Sequence, residues 1–185
     1  MLVTVGFDVP SYKTDYQIVF SVHNLAFPED ALYAMLSTNL FNKRGGYERF
    51  TLRGHEDGEY IEAAERMKEQ ALIPLEGPVT LSMIFEAYKA YWEKHGEIVI
   101  PLLQDPALIA AYVDQTAKAH EYLEWGYEQL KTWKPEWVEK HGGLEGWRER
   151  IKHLIAHPEI LHKTAEEQAK IHKVDHVPEE KILVD

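Results

Sequence analysis

The stretch DPALIAAYVDQTAKAHEYLEWGYEQLKTW, residues 105–133, decides how the chain is read. It opens on Asp105-Pro106, a carboxylate at the N-cap followed by proline at the first helical position, where proline's missing N–H costs nothing. The next proline is Pro135, and Gly126 is the one internal glycine. At 1.5 Å per residue, a helix over this span is about 40 Å long. Its apolar seam is Ile109, Val113, Thr116, His120, Leu123, Tyr127 and Leu130, spaced alternately four and three, as in a helix packed within a bundle. Thr116 and His120 interrupt that seam at its middle.

Around this stretch the pattern predicts an α+β protein, mainly helical, with an N-terminal β-hairpin packed on a helical bundle, one long central helix and a C-terminal arm. Residues 2–9 alternate, with Val3, Val5, Phe7 and Val9 on one face, and 16–25 repeat the alternation through Ile18, Phe20 and Val22. Together they form a hairpin within 2–25. Two strands alone are marginal in water, so further pairing is expected, with Glu97–Leu103 and Ile182–Val184 as candidates.

The helical body covers 28–157. Its first helix starts at Pro28-Glu29-Asp30 and stops at Lys43-Arg44-Gly45-Gly46. A second spans about 57–71 with Ile61, Ala64 and Met67 inward. A third, about 79–95, carries Leu81, Ile84, Phe85, Tyr88, Tyr91 and Trp92. After the long helix come a short one from Pro135 and another over about 144–157, closed by Pro158. Residues 1–157 thus make one globular domain. Residues 158–185 make an arm whose short helix opens on the capping box Thr164-Ala165-Glu166-Glu167. The arm lies across its own chain or on a partner.

The bulk composition narrows function. In a chain of 185 residues, a net charge of −11 repels phosphates, so nucleic-acid binding is not expected. Cysteine is absent, which excludes disulfides, thiolate catalysis and Cys-ligated zinc. The apolar runs are too short for a bilayer, and the first residues lack a signal-peptide pattern. The expected location is cytoplasmic, with no membrane partner.

Four groups of residues bear on chemistry. His153, His157, His172 and His176 lie within the His-rich C-terminal third. The two pairs are each spaced i, i+4, close enough on a helix to share a divalent metal. Against this, His153 and His157 fall opposite the apolar face of their helix, and no His-Glu-x-x-His or Glu-x-x-His motif occurs. The expectation is no cofactor, with a His-ligated divalent metal as the alternative.

The second group is Thr116, His120 and Tyr88, a polar pocket within the bundle for a small ligand, weighed against buried groups that merely satisfy one another. The third is Lys43, Arg44, Arg49 and Arg53 around two glycines, an anion site that lacks the phosphate-loop and dinucleotide patterns. The fourth is an interface set: Trp125, off the long seam, with Ile182, Leu183 and Val184 in the arm.

Two functional classes follow. One is a non-catalytic protein that binds another protein through helix faces and the C-terminal arm, as an accessory subunit, assembly factor or inhibitor, with self-association also open. The other is a small helical enzyme or ligand-binding protein using histidines and carboxylates, with or without a metal. The first is preferred, because the acidic surface, the aromatic surplus and the arm all serve it and no catalytic motif serves the second.

Overall fold

The computed structural model describes residues 1–8, 15–26, 36–51, 57–96, 100–177 and 181–185. The fold is α+β and mainly helical. The chain divides into two units. One comprises Leu2–His23 and Ala34–Pro78, and the other Met1, Asn24–Tyr33 and Val79–Asp185.

The first unit holds β1 (Leu2–Asp8), β2 (Asp15–His23), β3 (Leu36–Asn39), β4 (Phe50–Thr51) and α1 (Asp57–Gln70). The expected hairpin is present: β1 and β2 pair antiparallel from Leu2↔His23 to Asp8↔Gln17. Alternation along β2 puts Ile18, Phe20 and Val22 inward, and all three are buried. The further strands come from elsewhere than expected. β3 pairs antiparallel with β2 at Val19–Val22, and β4 pairs with Asp15 and Tyr16.

Between β3 and β4 the chain leaves the ladder in a turn that Asn42 organises. The Asn42 side-chain oxygen accepts from the N–H of Arg44 (2.9 Å) and of Gly46 (3.2 Å). The backbone closes the turn with Gly45 N–H donating to Asn42 C=O, and Gly45 takes φ 79°, where glycine carries no Cβ penalty.

This corrects the expected first helix. Residues 36–39 are a strand, and Lys43-Arg44-Gly45-Gly46 is a hairpin turn rather than a helix end. Residues 28–35 lie outside the described ones. The basic-then-glycine signature fits either structure. The open edge of β2 and the Asn42 turn decide for the sheet.

α1 is present where expected but rotated. Ala63 and Met67 are buried while Ile61 is 65% exposed. Tyr60, Ala63, Met67 and Gln70, at helical spacing, form its inward face: Ala63 and Met67 are buried, and Tyr60 and Gln70 have partners outside the helix. Tyr60 stacks on Phe50 with ring centroids 5.8 Å apart, and Gln70 exchanges hydrogen bonds with the backbone N–H and C=O of Phe41. A polar residue and an aromatic thus set the helix phase, which hydrophobicity alone assigned to Ile61.

The second unit holds α2 (Leu81–His95), α3 (Pro101–Tyr112), α4 (Thr116–Leu130), α5 (Pro135–Glu139), α6 (Gly143–Ala156) and α7 (Pro158–Ile171). α3 is the hub, touched by α2, α4, α6 and α7. Every residue from Leu102 to Ala111 is buried, as a helix apolar on nearly all sides must be.

The single helix expected over 105–133 is therefore two. α3 begins at Pro101, so Asp105 is not its cap and Pro106 lies inside it. The break follows Tyr112. Asp114 adopts φ 59°, Gln115 N–H reaches back to Ala110 C=O (2.9 Å) and Asp114 N–H to Ala111 C=O (3.0 Å). These two bonds are the Schellman termination, which usually recruits glycine. Here aspartate takes the left-handed position, so no glycine marked the break.

Breaking the helix decouples the two seams. α4 buries Ala119, Tyr122, Leu123, Gly126, Tyr127 and Leu130, and turns Thr116 and His120 to solvent. Of the other expected strand candidates, Pro101–Leu103 is the first turn of α3, 97–99 lie outside the described residues, and Leu183 makes one isolated bridge.

α7 also begins earlier than the capping box suggested. Pro158 both ends α6 and occupies the first position of α7, leaving Thr164 mid-helix. Leu161, Ala165 and Gln168 are buried, and α7 touches α3 and α6 of its own chain. α7 ends in a second Schellman turn, with Lys173 at φ 57° and Val174 N–H bonded to Ala169 C=O.

Gly126 is where α3 and α4 come closest. A Cβ added there would stand 2.5 Å from the Leu103 carbonyl oxygen and 3.3 Å from the Trp147 ring. The first clash is with backbone, which cannot swing aside. Gly146 in α6 has nothing within 4 Å. Urea unfolding should show Gly126→Ala destabilised by about 3 kcal/mol and Gly146→Ala stabilised by about 0.5–1 kcal/mol. Equal effects of the two substitutions would contradict the close approach.

Candidate functional site

The three residues expected to form a polar pocket are not brought together. Thr116 and His120 are exposed on α4, whereas Tyr88 is fully buried on α2. Tyr88 instead reaches a group that the sequence reading had assigned to a helix cap. Its hydroxyl donates to Asp105 Oδ2 at 3.0 Å, and Asn24 Nδ2 donates to Asp105 Oδ1 at 2.8 Å. Asn24 is held in turn by Ala26 N–H, which donates to its side-chain oxygen at 3.0 Å. Asp105 is 1% exposed.

Burial, together with the Asp105 charge and hydrogen bond, pushes the Tyr88 phenol well above its ordinary range, so it is a neutral donor at any working pH. Moving a carboxylate out of water costs several kcal/mol, and each hydrogen bond to the charged group returns about 1.5–3 kcal/mol. The arrangement holds Asp105 in place without making it a large source of stability.

The His153–His157 pair does form. The rings lie 4.6 Å apart by centroid, and His157 Nδ1 is 3.0 Å from Glu159 Oε1. Both imidazoles are exposed at the α6–α7 junction. The Glu159 carboxyl is drawn below its usual range by its own backbone N–H, then by His157 and His153.

His172 and His176 do not share a helix face, because α7 ends at Ile171 and Lys173 reverses the chain. His172 lies against Gln168 at 3.1 Å. Among the described residues no group of three or more His, Asp or Glu is arranged to hold a metal.

Of the basic set, Lys43 and Arg44 sit at the exposed turn between β3 and β4, Arg49 is exposed beyond it, and Arg53 lies outside the described residues. The acidic member of that loop, Glu48, pairs with Arg66 of α1 at 3.4 Å. Lys43, Arg44 and Arg49 are displayed on the surface.

The interface set falls in two places. Trp125 is half-buried, with its ring edge-on to Phe85 at 5.4 Å, and Phe85 stacks on Tyr122 at 3.9 Å. Residues 181–185 form a strap beside α2. Leu183 N–H donates to Val79 C=O and Leu81 N–H donates to Leu183 C=O, both at 2.9 Å. Leu183 and Val184 are about half exposed and Ile182 is partly covered.

The strap ends in a charged seat. Asp185 Oδ1 accepts from Ser82 Oγ at 2.9 Å and Ser82 N–H at 3.3 Å, with Lys118 Nζ at 3.5 Å. Lys118 Nζ also donates to Ser82 Oγ at 3.1 Å. Thr80 caps α2 through its own hydroxyl, which accepts from Met83 N–H.

Desolvation raises the Asp185 carboxyl, but hydrogen bonds from Thr80 and Ser82, the Ser82 N–H and the Lys118 charge outweigh it and bring the value to about 2. Neither Ser82 nor Asp185 was singled out from the sequence. They are 103 residues apart, and no local pattern joins them. Pro78 before an apolar helical run did mark the start of α2, and a helix N-terminus attracts carboxylates.

Comparison with protein-family models, with curated proteins and with solved structures finds no match. Among the described residues no helix is long and apolar enough to cross a membrane.

Two expectations test this geometry. Tyr88→Phe removes a donor from a buried carboxylate and should cost about 1–3 kcal/mol in chemical unfolding, with no change in secondary structure. A cost under a few tenths would mean that the hydroxyl does not hold Asp105. For Asp185, the folded carboxyl lies below its ordinary value of 3.8. The strap's charge-linked stabilisation is therefore fully present above about pH 4. It is lost as the pH falls from about 4 to about 2. Hydrogen exchange at the Leu183 amide should lose protection across that window, and Asp185→Asn should remove the pH dependence.

Proposed function

We propose that this chain is a non-catalytic protein-binding module whose partner contacts the outer face of α7 and the segment that follows it. One observation carries the reading. Among the described residues, nine large apolar side chains are exposed, and five of them (Ile160, Ile171, Val177, Leu183 and Val184) fall within 158–185. Scattered apolar residues on a surface are ordinary, but a concentration in one short stretch marks a contact surface.

Ile160 and Ile171 lie three helical turns apart and point the same way from α7. The adjoining face of α7, through Leu161, Ala165 and Gln168, is buried and committed to its own chain. Glu167, paired with Lys163 at 3.9 Å, lies between the two isoleucines, and the whole chain carries −11. The complementary partner is a protein presenting an apolar patch rimmed by basic side chains.

The roles of accessory subunit, assembly factor and inhibitor all employ such a surface. The alternative, chemistry at histidines, has the exposed His153–His157 pair and Glu159 in its favour, without a third ligand or a sheltered cavity around them.

The test uses purified full-length chain, crosslinked in extract of its source cells and compared with two variants. Ile160→Glu/Ile171→Glu should reduce recovery of the partner about tenfold or more, while Ile61→Glu, at an exposed position of the other unit, should leave it unchanged. Equal recovery by all three proteins would reject the α7 surface.

A further inference from the structure

The seat of the strap is itself a peptide site, filled from within. We infer that the extended segment Val79–Leu81, with Ser82 and Lys118, binds an extended acidic peptide segment of a partner protein, and that residues 181–185 occupy this site as an internal competitor. The proposal deepens the protein-binding reading by naming a second contact and the chemistry of what it takes.

The site has two parts, and each engages the strap separately. The first is a backbone edge. Thr80 is extended (φ −97°, ψ 159°), and the segment around it exchanges two bonds with Leu183: Val79 C=O accepts from its N–H, and Leu81 N–H donates to its C=O. This is strand addition, which reads no side chain at the paired residue. The second part is a carboxylate seat two residues further on. It combines the Ser82 hydroxyl and N–H at the start of the 15-residue α2 with the Lys118 ammonium from α4.

The occupant defines the specificity. A segment that fits has an aliphatic residue at the paired position and a carboxylate two positions later, as in Leu183-Val184-Asp185. A basic residue in the last position would meet Lys118 and the positive end of α2, so the seat discriminates by charge.

The strap is held lightly enough to be displaced. Leu183 and Val184 stay about half exposed, so little apolar area is removed from water. The remaining attachment is two backbone bonds and a solvent-exposed carboxylate seat, with no deeply buried side chain to anchor it. What keeps the strap seated is tethering. A segment on its own chain is present at an effective concentration of about 1 mM, so a site with an intrinsic Kd of about 0.1 mM stays roughly nine-tenths filled. A partner gains the site by bringing further contacts with it, for which the α7 surface is available.

The test is direct binding, by fluorescence anisotropy, of a labelled peptide with the sequence of residues 181–185 to full-length protein. Leu183→Pro deletes the N–H that bonds Val79 and frees the strap. Asp185→Lys frees it by charge reversal and serves as the second variant. Both should bind the peptide at least tenfold more tightly than wild type. Lys118→Glu introduced into either variant, or an Asn-ended peptide, should reverse the gain.

Equal binding to wild type and both released variants, or no binding to any of them at millimolar peptide, overturns the proposal. So does wild-type self-association in sedimentation that Lys118→Glu abolishes, because the occupant is then the strap of a second copy. None of these outcomes bears on Ile160 and Ile171, so this site and the α7 surface fail or stand separately.

Discussion

The approach of Gly126 to the Leu103 carbonyl is the constraint on which the helical unit depends. Two helices whose backbones come this close have no room for a side chain between them, and a Cβ at Gly126 would sit 2.5 Å from a peptide oxygen. Such proximity needs two prior conditions. The chain must reverse after Tyr112 so that α4 can return along α3, and α3 must be apolar enough to be covered on every side. The Schellman turn through Asp114 supplies the first, and the sequence from Leu102 to Ala111 the second. Trp147 then closes over the contact from α6, fully buried and 3.3 Å from the same position. Three helices, α3, α4 and α6, are registered by one missing methyl group.

Once α3 is enclosed, its polar residues need partners inside the unit. Asp105 could serve as a helix cap only at a helix end in contact with water. Placed mid-helix beside Pro106, it is satisfied by Tyr88 from α2 and by Asn24 from a remote part of the chain. Asp-Pro is a strong local start signal, and here the tertiary environment overrode it. Pro101, five residues earlier, is the proline that starts the helix, and Pro106 is tolerated where it lies.

The legible parts of the fold share a physical property: their signals are local. Alternation in 2–9 and 16–25 pointed to the hairpin, whose strands are Leu2–Asp8 and Asp15–His23, because strand period is an intrinsic feature. The α2 stripe, the short helix at Pro135 and the α6 face through Trp147, Ile151 and Ile155 were readable for the same reason. What escaped depended on contacts between distant residues or on unusual termini. Asp114 and Lys173 take left-handed positions that composition assigns to glycine. β3 is a strand because β2 offers an edge, and Gln70 fixes the α1 phase by bonding a loop backbone. The candidate sites followed the same division. His153 and His157 were placed side by side correctly, since i, i+4 spacing is local. Thr116, His120 and Tyr88 were grouped through a helix that turns out to be two.

The strap completes this argument, because it is the part of the molecule where local and distant forces are nearly balanced. Its backbone bonds and its carboxylate seat are individually weak, and its side chains are left half in water. A segment meant only to stabilise the fold would bury Leu183 and Val184, each worth about 1.5–3 kcal/mol when fully covered. This one places the same residues outward and invests in the groups that any extended acidic peptide shares: a main chain and a carboxylate. The α2 start thereby has N–H groups satisfied without being sealed, because the segment that satisfies them leaves Leu183 and Val184 about half in water.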